Sequence, residues 1–352
     1  MERILPIVAR LRAKFFGNLA LSACATEIIE LAPAVDREQL AAIALPDEFD
    51  RVIAVQEDTD IKLELERIRE GTRRHGPTVA YRIDNAVLGQ GSLYFDGGYQ
   101  GMRGGSKRPL LPRHKDCFAE MQLCTNYVIG RYFGHWIIDG LVLELLAAQR
   151  SLPGLTFAGT QWPHEPGYRE LCRLEITRSD HARVERLWVI DDRGINDGWI
   201  SRIEELRRRV RLTVIPNGAK RVLLTRGTLG AARNLVNSPE VYNVLDQLGF
   251  EILNAELETP RSIVEKLSAV EIAVAVEGSG VNHCFLAMPS RSTIVTIQPP
   301  TRFNSHGKVR CDVVGVNWAF VVATPHPEGF CLPIERLLRT IDEVVRVTGA
   351  RA

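Results

Sequence analysis

The segment Arg131-Tyr-Phe-Gly-His-Trp-Ile-Ile-Asp139 sets an imidazole, His135, four residues ahead of a carboxylate, Asp139. On a helix that spacing puts both groups on one face, where the carboxylate can orient the ring and the ring can accept a proton from a hydroxyl. A histidine that only caps or packs a helix would look the same. A second polar group lies in the other half of the chain: Arg226, Arg233 and Asn237, followed by Glu277-Gly-Ser-Gly-Val-Asn-His283. Guanidiniums present fixed donors and stay charged at any working pH, which suits a diphosphate. A solvated arginine loop tied by salt bridges is the competing reading. Polar groups in both halves suggest a cleft between two domains.

Glycine at 278 and 280, after an apolar strand and before an apolar helix, would let backbone N–H groups converge on an anion. A tight strand-to-helix turn without a ligand needs the same glycines. The GxGxxG fingerprint is incomplete, because His283 occupies the third glycine position. That gap, and arginines where an acidic ribose ligand is expected, disfavour a dinucleotide oxidoreductase. Gly97-Gly98, Gly101 and Gly104-Gly105 before Ser106-Lys107 do not make a phosphate loop, since Ser106 stands where GxxxxGK needs glycine and Pro109 and Pro112 oppose a following helix. Residues 97–105 read as a loop, either plain surface or substrate-covering. Asp191-Asp192 reads as a turn and His164-Glu165 as a surface pair. No cluster has metal-ligand spacing.

These groups need elements to position them. Ala86-Val-Leu88 and Ser92-Leu-Tyr-Phe95 read as short strands, Ile137 to Gln149 as a buried apolar helix, Leu187 to Ile190 as a strand and Ile200 to Leu212 as a helix ended by Pro216-Asn-Gly218. From there the pattern is regular: strand 221–225, helix 238–248, strand 250–253, helix 260–268, strand 272–276, the glycine loop, a helix, strand 293–297 and a closing amphipathic helix 334–347. Strands alternating with helices predict a parallel sheet covered on both faces, with ligands at the rim formed by the strand ends.

At 352 residues and 45% hydrophobic content the chain can build two cores. Lys and Arg total 44 against 43 Asp and Glu, so no global field favours nucleic acid, and any anion site must be local. Seven cysteines without a CxxC pair predict a reducing, cytoplasmic setting rather than a disulfide framework. No run approaches the roughly 18 apolar residues of a membrane span, and the start lacks the order of a secretion signal. Ile4-Leu5, Ile7-Val8, Leu11, Phe15-Phe16 and Leu19, interrupted by Arg10, Arg12 and Lys14, form an amphipathic stripe. Core packing is its commoner fate, and weak peripheral contact of residues 1–20 with the inner face of a membrane is the alternative.

The blocks above resemble family 61 glycosyltransferases, a group that includes capsular-polysaccharide-type transferases, over about residues 84–300. Tyr132-Phe-Gly-His-Trp136 with Asp139 is similar to the family's aromatic FHW turn, with Gly134 inserted. Thr225-Arg226, Arg233, Asn237-Ser238, Glu240-Val241 and Gly249-Phe-Glu251 resemble its arginine block. Val276 to His283, Met288-Pro-Ser290 and Val295 to Pro299 resemble its glycine-loop block. The resemblance implies an α/β GT-B fold of two Rossmann-like domains facing across a cleft: an acceptor-side domain at 1–198, a connection at 199–220, a nucleotide-sugar domain at 221–330, and a helix at 331–352 packing back on the first domain.

It further implies a hexosyl- or pentosyltransferase that moves a sugar from a nucleotide sugar, UDP-linked by family likeness, to a hydroxyl of a glycan or other acceptor. No metal or other cofactor is implied. Arg226, Arg233, Asn237 and residues Gly278, Ser279, Gly280, Val281, Asn282 and His283 would hold the donor, and His135, Asp139 or Glu277 would be the base. A non-catalytic nucleotide-sugar or glycan binder on the same fold is the rival from another class. Three positions depart from the pattern: Glu277 stands where the family has His, Ser238 where it has Glu, and Ile263 where Gln is common. A carboxylate beside a diphosphate is electrostatically awkward, so Glu277 must face sugar hydroxyls, pair with Arg226 or Arg233, or act as the base.

Overall fold

Fully buried strands such as Ile272-Ala-Val-Ala-Val276 have no polar face to turn to water, so the sheets they form must be covered on both sides. The computed structural model describes residues 5–89, 91–102, 116–159, 162–227 and 233–350. They divide into two units, Met1–Val35 with Arg74–Leu206 and Asp36–Arg73 with Arg207–Ala352.

The first unit is built on a mixed sheet, eight-stranded among the described residues. Its order is Gly98–Gly101, Ser92–Phe95, Thr78–Gly89, His181–Asp191, Asp116–Leu123, Gly154–Thr156, Thr177–Arg178, and Glu27–Ala32 also pairs with Thr78–Gly89. Pairs on the Thr78–Gly89 side are antiparallel, and those from His181–Asp191 through Asp116–Leu123 to Thr177–Arg178 are parallel. The doubly wound sheet expected for this half is therefore not what forms. Two residues separate Thr78–Gly89 from Ser92–Phe95, enough for a hairpin and far too few for a parallel crossover. Alternate residues Ala86 and Leu88 join a core with Leu123, Leu155 and Val184, while Val87 turns to the other face, where Tyr94 and Ala9 cover it. Residues 98–101 are strand rather than loop; Gly104-Gly105, Ser106-Lys107, Pro109 and Pro112 lie outside the described residues.

The second unit holds the parallel sheet that the alternating pattern predicts, in the order Glu251–Asn254, Arg221–Thr225, Ile272–Val276, Thr293–Gln298, Asn317–Val322. Two boundaries differ from expectation. The closing helix, Ile334–Thr348, packs in this unit, with Leu337, Ile341 and Val344 in one core with Leu223, Val274 and Val295. Residues 36–73 also belong here, although the sequence places them with the first unit. Ile43 bridges Ala319 in parallel, the Glu48 carboxylate accepts from Val322 N at 2.6 Å, and the Glu64 carboxylate accepts from both N and Oγ of Ser305 at 2.6 Å. This excursion covers the sheet's edge strand, which would otherwise expose unpaired backbone.

Candidate active site

The second unit's strand order reverses at Arg221–Thr225: the chain runs first to Glu251–Asn254 on one side, then to Ile272–Val276 on the other. The crevice at the carboxyl ends of Arg221–Thr225 and Ile272–Val276 is thus a topological switch point, where open α/β sheets bind ligands. Arg226 directly follows the first of these strands and Glu277-Gly278 the second. Arg226 Nη1 donates to the Glu277 carbonyl at 3.4 Å. Arg233 Nε lies 2.6 Å from the Glu277 carboxylate, with both side chains only 10% exposed. Two residues not singled out from the sequence complete the group: Arg302 Nη1 donates to Glu277 Oε2 at 3.2 Å and Asn304 Nδ2 to Oε1 at 3.3 Å.

Glu277 is thus paired with arginine, one of the three courses open to it. Burial pushes its carboxyl up from the ordinary value, and Arg233, Arg302 and Arg226 pull it back down. Burial lowers Arg226 and Arg233 from the usual guanidinium value while Glu277 raises them, and a guanidinium starting so high remains a cation. Glu256 also lies near, since a Cβ on Gly227 would meet its carboxyl carbon at 1.9 Å. Among the described residues three guanidiniums thus face two carboxylates, and that excess of positive charge suits an anion. Asn304 is itself held: its side-chain amide donates to Gln56 Oε1 at 2.7 Å, and its backbone N–H donates to Gln298 Oε1 at 3.1 Å. The 36–73 excursion thereby helps fix the loop that carries Arg302. That loop follows Thr293–Gln298 on the same strand-end rim, and this was the signal available in the sequence.

In the glycine turn, three of the N–H groups expected to cradle an anion are bonded within the turn. The amides of Val281, Asn282 and His283 donate to the carbonyls of Gly278, Ser279 and Gly280 at 3.1, 3.2 and 3.0 Å, closing a tight turn on itself. The Asn282 side chain bonds Ser279 O at 3.2 Å, and His283 is buried. Asn237, expected among the donor ligands, is engaged elsewhere: its amide donates to Leu332 O and Glu240 Oε2 and accepts from Leu332 N at 2.9 Å. These bonds tie the start of Ser238–Gln247 to the residues ahead of the closing helix.

Gly278 has its own reason to be glycine. Its φ is +150°, and an added Cβ would meet Arg226 Nη1 at 2.2 Å. Among the described residues an added Cβ on Gly280 would meet only Leu224 Cδ2, at 4.0 Å. Gly278→Ala should cost about 1–3 kcal/mol in backbone strain and displace the Arg226 guanidinium, whereas Gly280→Ala should change little. Denaturant melts of both variants test this, and equal losses would refute it.

In the first unit, His135 Nδ1 and Asp139 Oδ2 are 2.7 Å apart, both side chains half-buried. They do not sit on a plain helix. Phe133–His135 is a single turn, Trp136–Gly140 is π-helical, and the regular helix follows as Leu141–Gln149. Single π turns of this kind often occur at functional positions. Trp136 anchors the turn: it is 3% exposed, stacks on Trp162 with centroids 5.9 Å apart, and lies under the Arg169 guanidinium at 5.2 Å. Arg169 is in turn bidentate to the buried Glu144 at 2.8 and 2.7 Å. The carboxylate on Nδ1 orients the ring, and a ring that donates its Nδ1 proton to that carboxylate would present Nε2 as a proton acceptor. Asp191 pairs with Arg193, and Asp192 is buried against Arg202 and Thr78, so both are structural. His164 packs on Phe133, and Glu165 is a buried partner of Arg169 rather than a surface residue. Among the described residues no cluster could hold a metal ion, and every cysteine is a free thiol.

The family model for Glycosyltransferase 61 matches residues 133–295. Over these residues the chain is similar to family 61 glycosyltransferases. The match contains His135, Asp139, Arg226, Arg233, Asn237 and 277–283, while Arg302 and Asn304 lie beyond it. No curated protein matches the chain.

Proposed function

We propose that this chain is a glycosyltransferase that takes a sugar from a nucleotide sugar, UDP-linked in the first instance, and transfers it to a hydroxyl of a glycan or other acceptor by metal-independent single displacement with inversion. The observation that carries the donor half is the arginine cluster at the topological switch point: Arg226, Arg233 and Arg302 stand where α/β sheets take ligands and offer the charge a departing nucleoside diphosphate needs. Guanidinium charge supplies the leaving-group stabilisation that a divalent cation provides elsewhere, so the step does not require one. The acceptor oxygen bonds to the anomeric carbon from the face opposite the phosphate. The C–O bond to phosphate breaks with its electron pair leaving on the nucleoside diphosphate, and the acceptor proton passes to His135 Nε2, with Asp139 stabilising the imidazolium. Glu277, enclosed by guanidiniums, positions them instead of serving as base.

A thermal-shift screen of UDP-, GDP-, ADP- and dTDP-sugars tests the reading. One nucleotide class should stabilise the fold by about 2.7 kcal/mol at a hundredfold excess over its dissociation constant; no stabilisation by any class would overturn it. Sugar transfer by the stabilising donor separates the enzyme from a non-catalytic binder.

A further inference from the structure

The N-terminal helix, Leu5–Phe16, packs on the first unit with the opposite face from the one its composition suggests. Pro6 and Ala9 are its buried residues, set against the strands Ser92–Phe95 and Gly98–Gly101. At 100° per residue, Val8, Leu11 and Phe15 fall on the far side, and they are 46%, 51% and 68% exposed; Phe16 is 84% exposed and Leu19 42%. Arg12 and Lys14 stand on either flank of this stripe. Arg10 is separate, turned to Tyr94 and Tyr99 with a hydrogen bond to Tyr94 Oη at 2.7 Å.

We infer that this face docks on the surface of an anionic lipid bilayer. Apolar side chains outward at the centre with cations at both edges is the pattern of an interfacial helix, whose rings enter the acyl boundary while the basic groups reach the headgroups. Charge supports one occupant over the other. Leu5–Phe16 contains no acidic residue, so a second copy laid symmetrically against it would oppose like charges. Among the described residues Arg12 has the exposed Asp96, 3.8 Å away, as its acidic neighbour, a pair too weak to withhold it from phosphate. Among the described residues no helix is long and apolar enough to cross a membrane, and surface attachment needs none.

Co-sedimentation of the full chain with sucrose-loaded vesicles tests this, using phosphatidylcholine alone and phosphatidylcholine with about a third phosphatidylglycerol. The chain should partition onto the anionic vesicles, with partitioning reduced about a hundredfold in Phe15→Ser/Phe16→Ser and about tenfold in Arg12→Ser/Lys14→Ser or on neutral vesicles. Both variants change exposed side chains, so their circular-dichroism melts should match the parent. Failure of the parent to sediment with anionic vesicles, or variants sedimenting as it does, would overturn the inference. So would a parent dimer that Phe15→Ser/Phe16→Ser converts to monomer, because a second copy would then cover the stripe.

Discussion

Arg233→Ala should weaken nucleoside-diphosphate binding by about ten- to a hundredfold, the range expected when one charge-assisted hydrogen bond to the ligand is removed. Arg226→Ala should fall in the same range. The two variants are expected to differ in stability. Arg233 lies 2.6 Å from the buried Glu277 carboxylate, and removing it leaves that carboxylate, among the described residues, hydrogen-bonded to Arg302 and Asn304. Breaking a buried pair from one side costs about 3–5 kcal/mol, and Arg233→Ala should melt correspondingly earlier. Arg226 touches Glu277 through its backbone carbonyl, and its loss leaves the carboxylate's nearest pairing intact. The double variant Arg233→Ala/Glu277→Ala separates the effects: it should recover stability without recovering affinity. Titration calorimetry and denaturant melts read both quantities. Recovery of affinity would mean that Arg233 serves only to neutralise Glu277.

The second large effect concerns turnover. His135→Ala should lower kcat by about a hundred- to ten-thousandfold, the usual contribution of a general base, while leaving nucleoside-diphosphate affinity unchanged. Asp139→Asn offers an amide where Nδ1 now has a carboxylate at 2.7 Å, so it can hold the ring in the wrong tautomer without displacing it. It should lower kcat as well, with little change in stability, since both side chains are half-buried. Unchanged turnover in His135→Ala would remove the ring as base.

Much of the second unit was legible from alternation alone. Strands 221–225, 272–276 and 293–297 fall at Arg221–Thr225, Ile272–Val276 and Thr293–Gln298, because fully buried parallel strands are unbroken apolar runs between turn residues. Asn317–Val322 and His306–Val313 were not read as elements. Residues 36–73 were misplaced for a different reason. Their partners lie far along the chain, as in the Glu48 bond to Val322, 274 residues away, and local pattern carries no trace of such pairing. The first unit's sheet was likewise read only in fragments. Ala86–Leu88 and Leu187–Ile190 are the most apolar portions of the long strands Thr78–Gly89 and His181–Asp191, whose other halves mix apolar residues with charged and polar ones.

At the site, residue types pointed to His135 with Asp139 and to Arg226 with Arg233, and the structure brings the members of each group together within its own unit. The π turn that sets the first pair had no local signature, and Arg302 and Asn304 around Glu277 were marked only by their place after the strand Thr293–Gln298. Asn237 shows the converse: a plausible ligand by type, it serves instead to bond Leu332.

The diphosphate cluster is tested most directly by titrating the intact chain with UDP, UMP and uridine, and with the corresponding series of whichever base the thermal-shift screen selects. Arginines at the switch point should make the diphosphate bind at least about tenfold more tightly than the monophosphate, with the nucleoside weaker still, and Arg233→Ala should shrink that gap. Equal affinity for UDP, UMP and uridine, with the gap absent in every series, would contradict a pyrophosphate site at Arg226, Arg233 and Arg302.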